Sequence, residues 1–304
     1  MDLPASGHEP VMMKEVLELL APRAGQTLVD CTLGRAGHAD VIADRIAPDG
    51  TLIGLDADPR NLEFARQRLA DAPCNVRLFH ANFAELGDVL RAADITEVDG
   101  VLADLGLSTN QLFDAQYGVS FSTEGPLDMR IDPRTSENAA DLVNSLRETD
   151  LANVLYELAQ ERWSRRIARK IAEARRSGPI KTTEQLAELV RSAVPRRRGG
   201  AGGERIDPAT RTFLALRMKV NREMENLAAL LEQAPGFLKR GGGRLAIISF
   251  QSMEDRLVKQ AFRSAERTGQ LALLTKKPLS PTDEEIAANP RSRSAKLRAA
   301  QRMG

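Results

Sequence analysis

Cysteine is scarce in this 304-residue chain: Cys31 and Cys74 are the only two, and they fall in no paired spacing and no Cys/His cluster. That scarcity excludes a disulfide framework and a zinc site, and no metal is expected. No apolar run is long enough to cross a membrane. The opening residues MDLPASGHEP lack the basic-then-apolar order of a secretory signal, so the expected compartment is the cytoplasm. No internal repeat is visible. The dinucleotide fingerprint G-x-G-x-x-G is missing as well, which disfavours a nicotinamide dehydrogenase.

What remains is a chain of 42% hydrophobic and 28% charged residues, as in a globular protein with a sizeable core. Its net charge of +1 conceals a division: residues 1–110 carry −9 and the rest +10. Such asymmetry suits either a polyanionic partner for the second part or a set of solvated helix faces.

In the first third, short apolar runs alternate with helical patterns. Strands are predicted at 27–30, 51–56, 76–81 and 98–105, and helices at Ala39–Ile46 and after Asp58, whose neighbour Pro59 suits a first helical turn. This rhythm predicts an α/β fold, a parallel sheet with helices on both faces. Residues 106–135 then look like a loop. Helical patterns follow, including one long helix from Glu148 through Arg176 and another opened by Thr182 with Gln185 three residues on. The stretch PRRRGGAGGE at 195–204 reads as an exposed basic loop. From Pro208 one long amphipathic helix leads to a glycine-rich turn and a strand near Arg244, with another strand at 271–275. The expected division is therefore a sheet domain in 1–112 and 208–304, ending in a basic tail, with a helical insertion at 113–207.

Ligands of open parallel sheets bind beyond the carboxyl ends of the strands. There the sequence places DCTLGRAGH, with Asp30, Gly34 and Gly37, and then Asp56 at the end of the second strand. A second-strand acid suits ribose hydroxyls. An acid leading into the first turn repels phosphate but suits an amino group and a positive centre, as in S-adenosylmethionine. The alternative for both aspartates is a helix N-cap or a loop end.

Eight segments in order, HEPVMMKEVLELL, DCTLGRAGH, GLDADP, DLGLSTNQL, GPLDMRID, PATRTFLALRMKVNREM, RLAIISFQSMEDRLVK and NPRSRSAKLR, resemble the bacterial 16S ribosomal RNA cytosine-N4 methyltransferase family, called RsmH or MraW. The similarity runs from His8 to about Arg302. It implies a Rossmann-like class I methyltransferase sheet interrupted by a helical substrate-recognition domain, with S-adenosylmethionine as donor. The implied acceptor is a decoding-centre cytosine of the small ribosomal subunit. The resemblance also implies cofactor contacts at Ala36, Gly37 and His38, at Asp56, at Phe83, and at Asp104 and Gln111. Read without it, Phe83 would be core and His38 a helix-start residue, while Asp104 closes an apolar strand at the ligand edge. Four positions depart from the family: Ala36 for glycine, Asn110 for proline, Phe113 for aspartate and Gln251 for histidine.

Asp104 is the expected orienting group for the acceptor amine, in a loop without the prolines and ring of Asp/Asn-Pro-Pro-aromatic enzymes. Candidates for holding the base are Asp128, Met129 and Arg130, and Arg211, Thr212 and Phe213, with core packing or ion pairing as the alternatives. RNA phosphates are expected to meet Arg165, Arg166 and Arg169 in a segment, 162–176, of net charge +6, together with Arg196–Arg198 and the basic C-terminal stretch. The alternative function is a ribosome-assembly factor that binds the cofactor without turnover.

Overall fold

A computed structural model describes residues 10–195 and 207–304. The resemblance at His8, most of the 195–204 loop and the cations Arg196–Arg198 lie outside the described residues. Two compact units emerge, one from the chain up to Gly106 and from Met224 onward, the other from Leu107–Glu223.

The sheet unit opens with α1 (Met13–Leu20), β1 (Thr27–Asp30), α2 (Gly37–Ile46), β2 (Thr51–Asp56), α3 (Pro59–Arg68), β3 (Asn75–His80), α4 (Leu86–Ala92) and β4 (Gly100–Asp104). Asp58 caps α3, accepting from the Arg60 N–H at 2.9 Å ahead of Pro59 at the first turn.

The helical unit contains α5 (Thr109–Phe113), α6 (Ala139–Ser145), α7 (Glu148–Ala159), α8 (Ser164–Ala174), α9 (Thr183–Ala193) and α10 (Ala209–Val220). It is wider at both ends than the expected 113–207. α10 contributes Phe213, Ala215 and Leu216 to this unit's core, because α7, α6 and α9 pack against it. The long helix expected across 148–176 is broken: Gln160 turns left-handed at φ 51°, and buried Glu161 accepts from the Trp163 N–H at 2.7 Å before α8 restarts.

The chain then enters α11 (Glu223–Phe237), β5 (Arg244–Ser249), α12 (Ser252–Arg267), β6 (Leu271–Leu273), α13 (Asp283–Ala288) and β7 (Lys296–Arg302). The single helix expected from Pro208 is two, separated at Asn221 and Arg222, the latter at φ 50°. Seven strands lie in the order β3-β2-β1-β4-β5-β7-β6, parallel from β3 to β5, with β7 antiparallel to both neighbours. The expected α/β Rossmann-like sheet interrupted by helices is what forms. The basic C-terminal tail does not: it is strand β7. Leu297, Ala299 and Ala300 are buried there, and buried Arg298 grips Asp255 through Nε at 2.7 Å. The strand lies between β5 and β6, so of its cations Arg298 is turned to the interior while Lys296 and Arg302 stay partly exposed.

Alternation along each parallel strand sorts its residues between two cores. Val29, Ile53, Val101 and Ile247 enter one core with α4, α11 and α12. Leu28, Leu52, Leu102 and Ile248 enter the other, covered by α1 and α2. That second face carries the site.

Candidate cofactor and acceptor site

Two residues beyond Leu28 and Leu102, and four beyond Leu52, the same alternation delivers Asp30, Asp104 and Asp56 to one face at the strands' carboxyl ends. β1 and β4 are adjacent and the order reverses between them, the topological switch point where open α/β sheets bind ligands. Three carboxylates thus converge where a ligand is expected.

Their hydrogen bonds differ. Asp30 is buried, and its Oδ1 accepts from the Thr32 N–H at 3.0 Å and the Thr32 hydroxyl at 3.5 Å. Burial pushes its carboxyl up to about 7, the charge of Asp56 adds to this, and the Thr32 bonds only partly offset it. Asp56 accepts from the Gly34 N–H at 2.7 Å, the Asp58 N–H at 2.8 Å and the Asn61 amide at 3.3 Å. Burial still raises it to about 6. Asp104 is raised well above the carboxylate range by burial and by the charges of Asp30 and Glu254. Its Oδ1 is buried with no hydrogen-bond partner, and its Oδ2 stands 3.8 Å from His38 Nδ1. The other ring nitrogen of His38 lies 3.0 Å from the Val11 carbonyl, which can only accept, so Nε2 holds a proton.

The first turn is shaped by the second strand's acid, since Gly34 donates to Asp56. Ala36 follows at φ 58°, ψ 33°, a left-handed backbone that explains a glycine preference there, and it is fully buried. At Gly37 a Cβ would stand 2.7 Å from Pro10 Cγ, so the approach of the chain before α1 requires glycine. Asp30, Gly34, Ala36, Gly37, His38, Asp56 and Asp104 are therefore brought together. Phe83 opens a single helical turn after β3 and is half-buried against the opposite core. Gln111 lies in the helical unit, buried, its Oε1 accepting from the Ser108 N–H at 3.1 Å.

Two contributors escape a reading of the sequence. Thr32 also accepts the Asp104 N–H at 2.6 Å, linking the ends of β1 and β4 through one hydroxyl. The hint is a hydroxyl two residues after the acid. Buried Glu254 accepts from both the Phe250 and Gln251 N–H groups at 2.9 Å, so Gln251 stands at the start of α12 as its N-cap.

In the helical unit Arg130 is paired with Asp128, Nε to Oδ1 and Nη2 to Oδ2 both at 2.8 Å, with Nη1 on the Thr135 carbonyl. Burial pushes the Asp128 carboxyl up, but its bonds to Arg130 outweigh that and hold it below the usual range. Met129 is buried at φ 65°. Phe213 is core, meeting Phe121 edge-on at 5.0 Å between ring centres, and Thr212 is buried beside it in sequence. Arg211 donates to the Gln160 carbonyl at 3.2 Å. Arg165, Arg166 and Arg169 are exposed on α8 opposite its buried Ile167, Ala168 and Ile171.

A sheet with this edge, acidic where a sulfonium and an amino group would sit and too acidic for a pyrophosphate, fits S-adenosylmethionine. The orphaned Oδ1 of Asp104 is the observation that marks the reacting end. The fold and site define a class I methyltransferase that uses S-adenosylmethionine. The chain matches the family model described as the MraW methylase family over residues 5–303, and it belongs to that family. A Geobacter sulfurreducens protein called ribosomal RNA small subunit methyltransferase H is 48% identical over 311 residues, covering 97% of this chain and 99% of the relative. One of the same name from Koribacter versatilis is 47% identical over 302 residues, covering 97% and 94%.

Proposed function

We propose that this protein methylates the N4 amine of a decoding-centre cytosine in the 16S RNA of the small ribosomal subunit. Its relatives' names supply the RNA. The observation that carries the chemistry is the unpartnered, buried Oδ1 of Asp104 at the switch point.

S-adenosylmethionine, when bound, supplies an electrophilic methyl on a positive sulfur. Asp30, Asp56 and the turn Gly34–His38 would hold it, the carboxylates meeting its positive charge and its hydroxyls. The acceptor nitrogen is a poor nucleophile because its lone pair is delocalised into the ring. A hydrogen bond from one amine hydrogen to Asp104 Oδ1 holds that hydrogen aside and turns the lone pair outward. Alignment of this kind is the main source of rate. With the methyl's bond to sulfur broken and the N–C bond formed, the acceptor nitrogen would carry one proton too many. Beside the positive sulfur Asp104 would enter the reaction ionised and take that proton at Oδ1, and burial with the neighbouring Asp30 and Glu254 then strengthens its hold on it. Exposed arginines of α8 would supply phosphate contacts, which position RNA without reading its sequence.

Asp104→Asn tests the mechanism. The isosteric amide accepts a hydrogen bond but takes no proton, so kcat is expected to fall by about 100-fold or more, in the range of a lost general base. Cofactor affinity should change far less. An Asn variant with near-normal kcat would remove Asp104 from the chemistry.

A further inference from the structure

The row of side chains beyond the strand ends does not stop at Asp104. Continuing the same alternation along β5, Ala246 and Ile248 enter the core under α1 and α2, and the next residue on that face is Phe250. Across the sheet, in strand order β2-β1-β4-β5, the face therefore presents Asp56, Asp30, Asp104 and then an aromatic ring. The ring packs against the cofactor-side core yet stays partly exposed. Aromatics are only 4% of this chain, and residues 104–107, Asp-Leu-Gly-Leu, contain none.

We propose that Phe250 is the acceptor-stacking residue: the face of its ring supports the pyrimidine whose amine Asp104 holds. This rests on the reading of the acceptor as a cytosine amine.

Three observations place the ring for that task. Asp56, suited to the ribose, lies on one side of Asp104, and Phe250 lies on the other, so the ring stands away from the nucleoside end of the donor. Gly106 sits at φ +119°, a backbone that side chains rarely adopt, and a Cβ there would be 3.5 Å from Phe250 Cδ2 and 3.8 Å from Cε2. The chain leaving Asp104 thus passes the ring at a residue that has no side chain of its own. Finally, the Phe250 N–H donates at 2.9 Å to buried Glu254, which fixes the backbone that carries the ring at the start of α12, and the charge of that same carboxylate acts on Asp104. Enzymes that place a ring inside the loop after the fourth strand solve the same problem from a different position. Here the neighbouring strand would provide it.

The test compares wild type, Phe250→Leu and Phe250→Tyr on unmodified small ribosomal subunits with labelled S-adenosylmethionine, alongside cofactor Kd by calorimetry and melting temperature. Stacking on a nucleobase is commonly worth about 5- to 140-fold. Leucine should therefore cost about that factor in kcat/KM with the cofactor Kd changed less than about twofold, while tyrosine stays within about threefold of wild type. Leucine matching wild type, tyrosine failing as badly as leucine, or activity falling only in step with cofactor affinity would each overturn the proposal. Wild-type protein that leaves cytosine unmethylated would instead overturn the acceptor reading on which it rests.

Discussion

Asp30 should make the protein without cofactor less stable as pH rises, and Asp30→Asn should remove that effect. In the folded chain burial and Asp56 raise the carboxyl from 3.8 to about 7. The unfolded chain therefore releases this proton at lower pH than the folded one. Below about pH 4 both states hold it and nothing is lost. Between about 4 and 7 the folded state must keep a proton that the unfolded state gives up, so stability falls, by about 1.4 kcal/mol per pH unit. Above 7 the cost levels off at about 4 kcal/mol, the product of that slope and the difference of about 3 in pKa. Asparagine keeps an oxygen where Asp30 Oδ1 accepts from Thr32, so the comparison isolates the charge. Urea unfolding of both proteins at pH 4, 6 and 8 gives the answer. The variant should gain little at pH 4 and several kcal/mol at pH 8, while binding S-adenosylmethionine more weakly. Equal stability at pH 8, or a variant less stable there, would refute the argument that this edge keeps a costly charge for its ligand.

Three other outcomes follow from the packing. Gly37→Ala should lower the urea midpoint by an amount equivalent to about 1–3 kcal/mol, because its Cβ meets Pro10 at 2.7 Å; an unchanged midpoint would mean the segment before α1 yields freely. Arg298→Met should cost about 3 kcal/mol at pH 7, since Asp255 loses its bidentate partner at a site where Lys296 stands 3.6 Å away. Burial raises the Asp255 carboxyl, but Arg298 and Lys296 together outweigh it and leave the group below its ordinary value. The pair's contribution is thus present above the carboxylate range and lost as pH falls, and unfolding at pH 3 should show a smaller deficit. Replacing Arg165, Arg166 and Arg169 together with alanine should weaken subunit binding and reduce the slope of log K against log salt by about 2, at roughly 0.7 to 0.9 per phosphate contact, with cofactor affinity unchanged. An unchanged slope would take α8 out of the RNA contact.

Local chemistry made much of this fold legible. β1 and β2 begin and end where their apolar runs do, Asp58-Pro59 starts α3, and Thr182 caps α9 by accepting from the Gln185 N–H at 3.2 Å. Asp30, Asp56 and Asp104 were readable because each closes an apolar strand, and strand ends are where such sheets bind ligands. The helix breaks at Gln160 and Arg222 were not readable: both are left-handed without glycine or proline to signal it, and tertiary packing overrides their preference. β7 was hidden for a related reason. KLRAAQR looks solvated until Arg298 finds Asp255, 43 residues away in sequence. The link from Thr32 to Asp104 spans 72 residues, so its place two residues after Asp30 is only a hint, and Glu254 acts through the start of α12, which no local pattern reveals.

Which nucleoside receives the methyl group decides the chemistry of transfer. Purified protein and labelled S-adenosylmethionine would be offered small ribosomal subunits from cells lacking the modification, and the RNA digested to nucleosides. N4-methylcytidine from a single decoding-centre position is the expected product. Label on another nucleoside, or no transfer by folded protein that still binds the cofactor, would contradict it.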